Sequence, residues 1–218
     1  MTVRRRRIGL LGGTFDPPHW AHLVLAESAR SELDLDEVWF LPAGRPPHKR
    51  GRRISPAPTR VQLLERTLAG VRGFRLEPLE TERRRTSYTV DTLETLHARH
   101  PWVEWWLLVG GDMLADLPRW RHPARVLELA RVAVMDRAGH APTWPASLGP
   151  RRLKLLRPPR IELSSTLIRR RVRQGQSIRF LVPEAVERYI RVHGLYGSPR
   201  ALGRRRPAPS RPGGARRA

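Results

Sequence analysis

The sequence contains no cysteine. That absence excludes a disulfide framework, a thiolate-bound zinc site and a cysteine nucleophile. Long hydrophobic runs are missing too, and none approaches the ~18 residues needed to span a bilayer. The stretch Ile8–Leu11, which two glycines follow, is too short for a signal-peptide core. A cytoplasmic, soluble protein is the expectation. Acidic residues are scarce: 20 Asp and Glu stand against 42 Lys and Arg, a net charge of +22. Half of that excess sits at the ends, where Arg4–Arg7 and seven arginines from Arg200 onward carry eleven charges and no acid. A field of this sign gathers anions, whether nucleic acid or small polyphosphates, and composition does not choose between them.

What is present suffices for one domain: 218 residues, 39% of them hydrophobic. Runs of β character at 8–11, 37–43, 73–78, 104–110, 131–135 and 152–156 alternate with helical stretches near 19–33, 57–70, 88–99 and 123–130. Two more helices, near 165–174 and 183–191, follow. The early strands lack polar alternation, as strands buried on both faces do. The alternation argues for a mostly parallel α/β sheet with helices on both faces. Residues 1–7 read as a basic extension and 8–197 as the folded domain. The Arg-, Pro- and Gly-rich tail at 198–218 is expected to be disordered, and either to bind polyanions weakly and nonspecifically or to have no role. The tryptophans at 39, 102, 105 and 106 lie in or beside strands and read as core.

Ligands of an open parallel sheet bind where strands end, and the first strand ends in GGTFDPPHWAH (12–22). Gly12 and Gly13 permit close approach of backbone to a ligand, and the turn's amides can face phosphate oxygens. Pro17 and Pro18 suit a helix start. His19 and His22, three apart, project from nearly one face beside the positive helix N-terminus, suited to charge developing on a phosphate. A second junction, ELSSTLIRRRVRQGQ (162–176), offers Ser164 and Ser165 as caps, Thr166 as a third hydroxyl, and Arg169 one turn on. Either segment alone reads as a turn or a capped helix.

Together they resemble the GGTFDPxHxGH and ISSTxIR signatures of the nucleotidyltransferase superfamily, with Ala21 in place of the usual Gly and Leu163 in place of Ile. Intermediate segments narrow the likeness. PAGRPPHKR (42–50), SYTVDTL (87–93), VGGDMLADLPRW (109–120) and RYI (188–190) resemble bacterial nicotinate-nucleotide adenylyltransferases over roughly residues 7–195. The usual upstream glycine is replaced by Arg83–Arg85. The resemblance implies a Rossmann-like fold and transfer of AMP from ATP to nicotinate mononucleotide, giving deamido-NAD and pyrophosphate, with Mg2+ accompanying ATP and no dedicated protein ligands for it. It implies that His19, His22 and Arg169 are catalytic. Gly12, Gly13, Thr14, Phe15, Gly110, Asp112, Ser164, Ser165 and Thr166 would hold ATP. The acceptor would meet His48, Lys49, Ser87, Tyr88, Thr89 and Trp120. The residues agree with this: hydroxyls and amides at 87–89 suit a carboxylate, Trp120 offers a flat face for a pyridine, and Asp112 can accept from ribose hydroxyls. Nicotinamide mononucleotide or phosphopantetheine as acceptor, and a nucleic-acid-associated protein on the same fold, are the alternatives.

Overall fold

The computed structural model describes residues 4–44, 54–83, 86–135 and 153–197. Six strands form one sheet: β1 (Arg6–Gly13), β2 (Glu37–Pro42), β3 (Phe74–Leu76), β4 (Val103–Gly110), β5 (Arg131–Met135) and β6 (Leu153–Leu156). All pairings are parallel, in the order β3-β2-β1-β4-β5-β6. The chain winds outward from β1 to one edge, then crosses back to β4 and winds to the other. The switch point therefore falls between the C-terminal ends of β1 and β4, where such sheets open a crevice.

Helices α1 (Trp20–Glu32), α2 (Ala57–Leu68), α3 (Leu79–Glu82), α4 (Thr89–Arg99), α5 (Gly111–Asp116), α6 (Pro123–Leu129), α7 (Ser165–Arg173) and α8 (Glu184–Val192) complete the fold. Successive strand residues face opposite ways. Trp39 and Leu41 join Ile8, Leu10, Trp105 and Leu107 in a core with Val90, Leu93 and Leu96 of α4 and Val126 and Leu127 of α6. Val38 and Phe40 join Leu11, Trp106 and Leu108 in a second core with Leu23, Ala26 and Ala29 of α1 and Leu64 and Leu68 of α2. Both faces are thus covered, which is why β1, β2 and β4 read as near-continuous apolar runs. A third cluster joins α2, α7 and α8 through Leu63, Ile168, Val186 and Ile190.

Every strand and helix expected from periodicity is present, with shifted ends. β1 begins at Arg6, inside the stretch read as a basic extension, and the Arg7 amide donates to Asp36 at 2.7 Å. β3 shrinks to three residues, all opposite Val38–Phe40. Helices α3 and α5 and the 3₁₀ turn Leu117–Arg119 are additional. They are four, six and three residues long, too short to show a helical period. Trp102 departs from its core reading. It is 60% exposed, whereas Trp39 and Trp105 are 1% exposed, because it precedes the first residue of β4 and lies beyond the helical cover. The tail at 198–218, with its expected disorder and polyanion affinity, lies outside the described residues.

Candidate active site

The turn leaving β1 is built from its own residues. Gly12 is exposed, and a Cβ there would meet nothing within 4 Å, while one on Gly13 would lie 2.8 Å from the Phe15 ring. Phe15 takes a left-handed φ of 51° and sends its side chain into the core against Phe40, ring centres 5.7 Å apart. Its part in a ligand site is therefore confined to the backbone, and Thr14 is left half-buried at the surface of the turn.

Helix α1 starts at Trp20, with His19 as its cap. The prolines stand ahead of the cap, not at the first helical position. His22 Nδ1 accepts the His19 backbone N–H at 3.1 Å, and the two imidazoles stack with centres 3.7 Å apart. An Nδ1 that accepts puts the ring proton on Nε2, so His22 is held as an Nε2–H donor. Its ring also meets the Phe15 edge at 5.0 Å. His19 is only 4% exposed and His22 half-buried.

The second motif docks on the first across about 150 residues of chain. Ser165 Oγ donates to Pro17 O at 2.7 Å, and Arg169 Nη1 donates to Asp16 O at 2.6 Å. Arg169 Nη2 reaches Thr166 Oγ1 at 3.2 Å, and Ser164 Oγ caps α7 by accepting from the Leu167 amide at 3.2 Å. Two helix N-termini thus converge beside the end of β1; of their first-turn amides, Trp20 donates to Leu181 O at 3.4 Å, His22 to His19 O at 2.9 Å and Leu167 to the Ser164 hydroxyl. This brings together Gly12, Gly13, Thr14, His19, His22, Ser165, Thr166 and Arg169.

A second group lies at the start of α4. Tyr88 is its cap, 39% exposed, and Thr89 its first residue. Ser87 Oγ donates to Glu80 O at 3.5 Å, so its hydroxyl serves α3. Trp120 follows the 3₁₀ turn and packs against the first core. Its neighbour Arg121 sets its guanidinium 5.0 Å over the Tyr88 ring and 3.7 Å from Asp91, which brings the segment of Trp120 beside residues 87–89. Gly110 ends β4 and caps α5. The side chain of Asp112, and all of His48 and Lys49, lie outside the described residues.

Sequence reasoning missed the buried polar groups beneath these turns. Arg60, 1% exposed, donates to Ser55 O, Thr14 O and Gly44 O at 3.0, 3.0 and 3.1 Å. Desolvation lowers its pKa, opposed by the nearby Asp16 charge. Asp16 accepts from the Ser55 amide at 3.0 Å and from Tyr196 Oη at 2.6 Å. Burial, then the Asp16 charge, pushes the Tyr196 phenol far above its ordinary value. Glu80 Oε1 accepts from Thr92 Oγ1 at 3.0 Å, and burial raises its carboxyl above the usual range against opposing contributions from Thr92, Arg83 and the Gly44 amide. Arg60 carried a signal in the sequence. It occupies the first position of the buried stripe Arg60, Leu63, Leu64, Thr67, Leu68 on α2, where the i, i+3, i+4, i+7, i+8 pattern calls for an apolar residue.

A parallel sheet in this order, with two helix starts meeting beside its switch point, defines an α/β protein of the nucleotidyltransferase type. Comparison with known proteins agrees. A family profile described as cytidylyltransferase-like matches residues 10–171. Relatives named probable nicotinate-nucleotide adenylyltransferase share 42% identity over 193 residues in Bacillus pumilus, covering 88% of this chain and all of that protein. In Roseiflexus the identity is 44% over 194 residues, covering 87% and 97%. Plasmodium falciparum nicotinic acid mononucleotide adenylyltransferase, solved in complex with NaAD, superposes with a TM-score of 0.72 at 18% identity, over 88% of this chain and 97% of that one. The chain belongs to the cytidylyltransferase-like family, and within it to the nicotinate-nucleotide adenylyltransferases.

Proposed function

We propose that this chain transfers AMP from ATP to nicotinate mononucleotide, forming deamido-NAD and releasing pyrophosphate as a cytoplasmic step of NAD synthesis. The observation that carries the reading is the docking of α7 on the β1–α1 turn through Ser165–Pro17 and Arg169–Asp16, which brings the starts of α1 and α7, the two segments read as phosphate sites, to one strand end. In the reaction an oxygen of the mononucleotide phosphate attacks the α-phosphorus of ATP. The bond from that phosphorus to the bridging oxygen of the β-phosphate breaks, and pyrophosphate leaves with the electron pair. The nucleophile is already an anion, so no strong base is required and no residue need be modified. Catalysis comes from positioning and from donors aimed at developing charge. Backbone at Gly12–Phe15, with Gly110 and Asp112, would receive ATP. His22 Nε2–H, with His19 stacked on it, would address the α-phosphate. Ser164, Ser165, Thr166 and Arg169 would hold the β- and γ-phosphates.

Among the described residues no group of three His, Asp or Glu is arranged to hold a metal ion. Magnesium is read as the counterion of ATP, arriving on phosphate oxygens and water. The acceptor is assigned to the start of α4, with Ser87, Tyr88 and Thr89 toward its carboxylate, Trp120 against its ring, and His48 and Lys49 toward its phosphate. No described helix is long and apolar enough to cross a membrane.

The test is pyrophosphate release from ATP and magnesium with nicotinate mononucleotide, nicotinamide mononucleotide and phosphopantetheine supplied separately. Release with the nicotinate form alone is expected. Equal release with the amide form would overturn the specificity, and silence with all three would overturn the activity.

A further inference from the structure

Parallel strands β1 and β2 are tied by their ladder up to a last bond, from the Ala43 amide to Gly13 O at 2.9 Å. One residue further on the two chains part: Thr14 leads into the β1–α1 turn assigned to ATP, and Gly44 lies against Glu80 and Ser87, so close that a Cβ on it would clash with Glu80 O and lie 3.7 Å from Ser87 Oγ, beside the α4 start assigned to the acceptor. At that point a single side chain takes over from the ladder. Arg60 donates to Thr14 O and to Gly44 O from its two terminal nitrogens, at 3.0 and 3.1 Å, and from Nε to Ser55 O at 3.0 Å. Ser55 is fixed in turn by Asp16 Oδ2, which accepts its amide at 3.0 Å, and Asp16 Oδ1 is held by Tyr196 Oη at 2.6 Å. Asp16 is 3% exposed and Arg60 1%.

A stripe position on α2 could be filled by leucine at no cost in desolvation. A guanidinium here costs desolvation, and among the described residues it makes no ion pair with a carboxylate. What it gains is a rigid planar fork that spans three carbonyls from three segments. We propose that Arg60 is a positioning residue for the adenylyl transfer, fixing the β1–α1 turn against Gly44 and the α4 start behind it so that nucleophile and α-phosphorus meet in line. The proposal rests on the adenylyltransferase reading above. Each substrate still finds its own turn without Arg60, but their mutual alignment is lost. A misplacement of ~1 Å between reacting groups costs on the order of 10²-fold in rate.

The test uses the full-length chain and its Arg60→Lys variant, which keeps the charge and removes the fork. Calorimetry with a non-hydrolysable ATP analogue, and separately with nicotinate mononucleotide, gives affinity and the number of competent sites. Pyrophosphate release then gives kcat per competent site. The expected result is affinity for each ligand within about threefold of wild type and kcat per site lower by on the order of 10²-fold. A kcat per site within about threefold of wild type overturns the proposal, since Arg60 then only staples the fold. If Arg60→Lys does not fold, Tyr196→Phe, which keeps the ring and removes the hydroxyl on Asp16, reads the same assembly. Its kcat per site should fall by about five- to tenfold with binding unchanged, and an unchanged kcat overturns the proposal. Wild-type chain that releases no pyrophosphate with any acceptor overturns the adenylyltransferase reading instead, and the positioning role with it.

Discussion

Replacing Arg169 by alanine tests whether the second motif belongs to ATP. The side chain makes two contacts, at 2.6 Å to Asp16 O and 3.2 Å to Thr166 Oγ1. Removing it takes a charged donor from the β1–α1 turn and a charge from the proposed triphosphate site. A hydrogen bond from a charged group is worth about 1.5–3 kcal/mol, and each 1.4 kcal/mol is tenfold. If that loss falls on ATP, its KM should rise by about 10- to 140-fold. The acceptor group lies at the start of α4, and KM for nicotinate mononucleotide should move by less than about threefold. Folding should be little affected, because Ile168 remains buried and Ser164 still caps α7. Arg169→Lys should fall between, since one ammonium cannot serve both oxygens and a phosphate. The assay is pyrophosphate release with each substrate titrated at saturating levels of the other. Equal changes in both KM values, or none, would refute the assignment.

His22→Asn keeps an acceptor near Nδ1 for the His19 amide but removes the Nε2 donor. Turnover should fall by about 10²-fold or more with Tm nearly unchanged, as followed by pyrophosphate release and circular dichroism. Gly44→Ala should lower Tm by roughly ten degrees or more in a thermal melt, because its Cβ would clash with the Glu80 carbonyl oxygen. Burial raises the Glu80 carboxyl, so the folded state binds that proton more tightly than the unfolded one, and the residue's contribution to stability falls as pH rises through its folded pKa. Glu80→Gln should therefore gain stability relative to wild type as pH rises above the ordinary carboxylate range in denaturant melts, and a parallel pair of curves would sink this account. Deleting residues 198–218 should leave turnover unchanged while weakening retention on a polyanion column.

How much could be read from the sequence follows from where each signal resides. Strands β1, β2 and β4 announced themselves because burial on both faces leaves them apolar throughout, and α2 and α4 because one apolar face repeats at the helical period. Helices α3 and α5 had no such period to show. The two motifs assigned to phosphates could be picked out for a different reason. A tight turn and a capped helix start need particular residues at particular places, Gly12, Gly13, Ser164 and Ser165 among them, so the local sequence records them. What the sequence did not display is the contact between them. Ser165–Pro17 and Arg169–Asp16 link residues about 150 apart, and nothing in either segment names its partner. Arg60, Asp16 and Tyr196 were hidden for the same reason, with one difference. Arg60 breaks the apolar stripe of α2, and a charge in a buried stripe survives only where several donors find acceptors at once. Such a break locates a group that the fold holds for its geometry. The acceptors it required, Thr14 O, Gly44 O and Ser55 O, are main-chain atoms, which leave no trace in residue identity. The candidate site was therefore named by its side chains, while the alignment proposed for Arg60 rests on carbonyls that only the folded chain reveals.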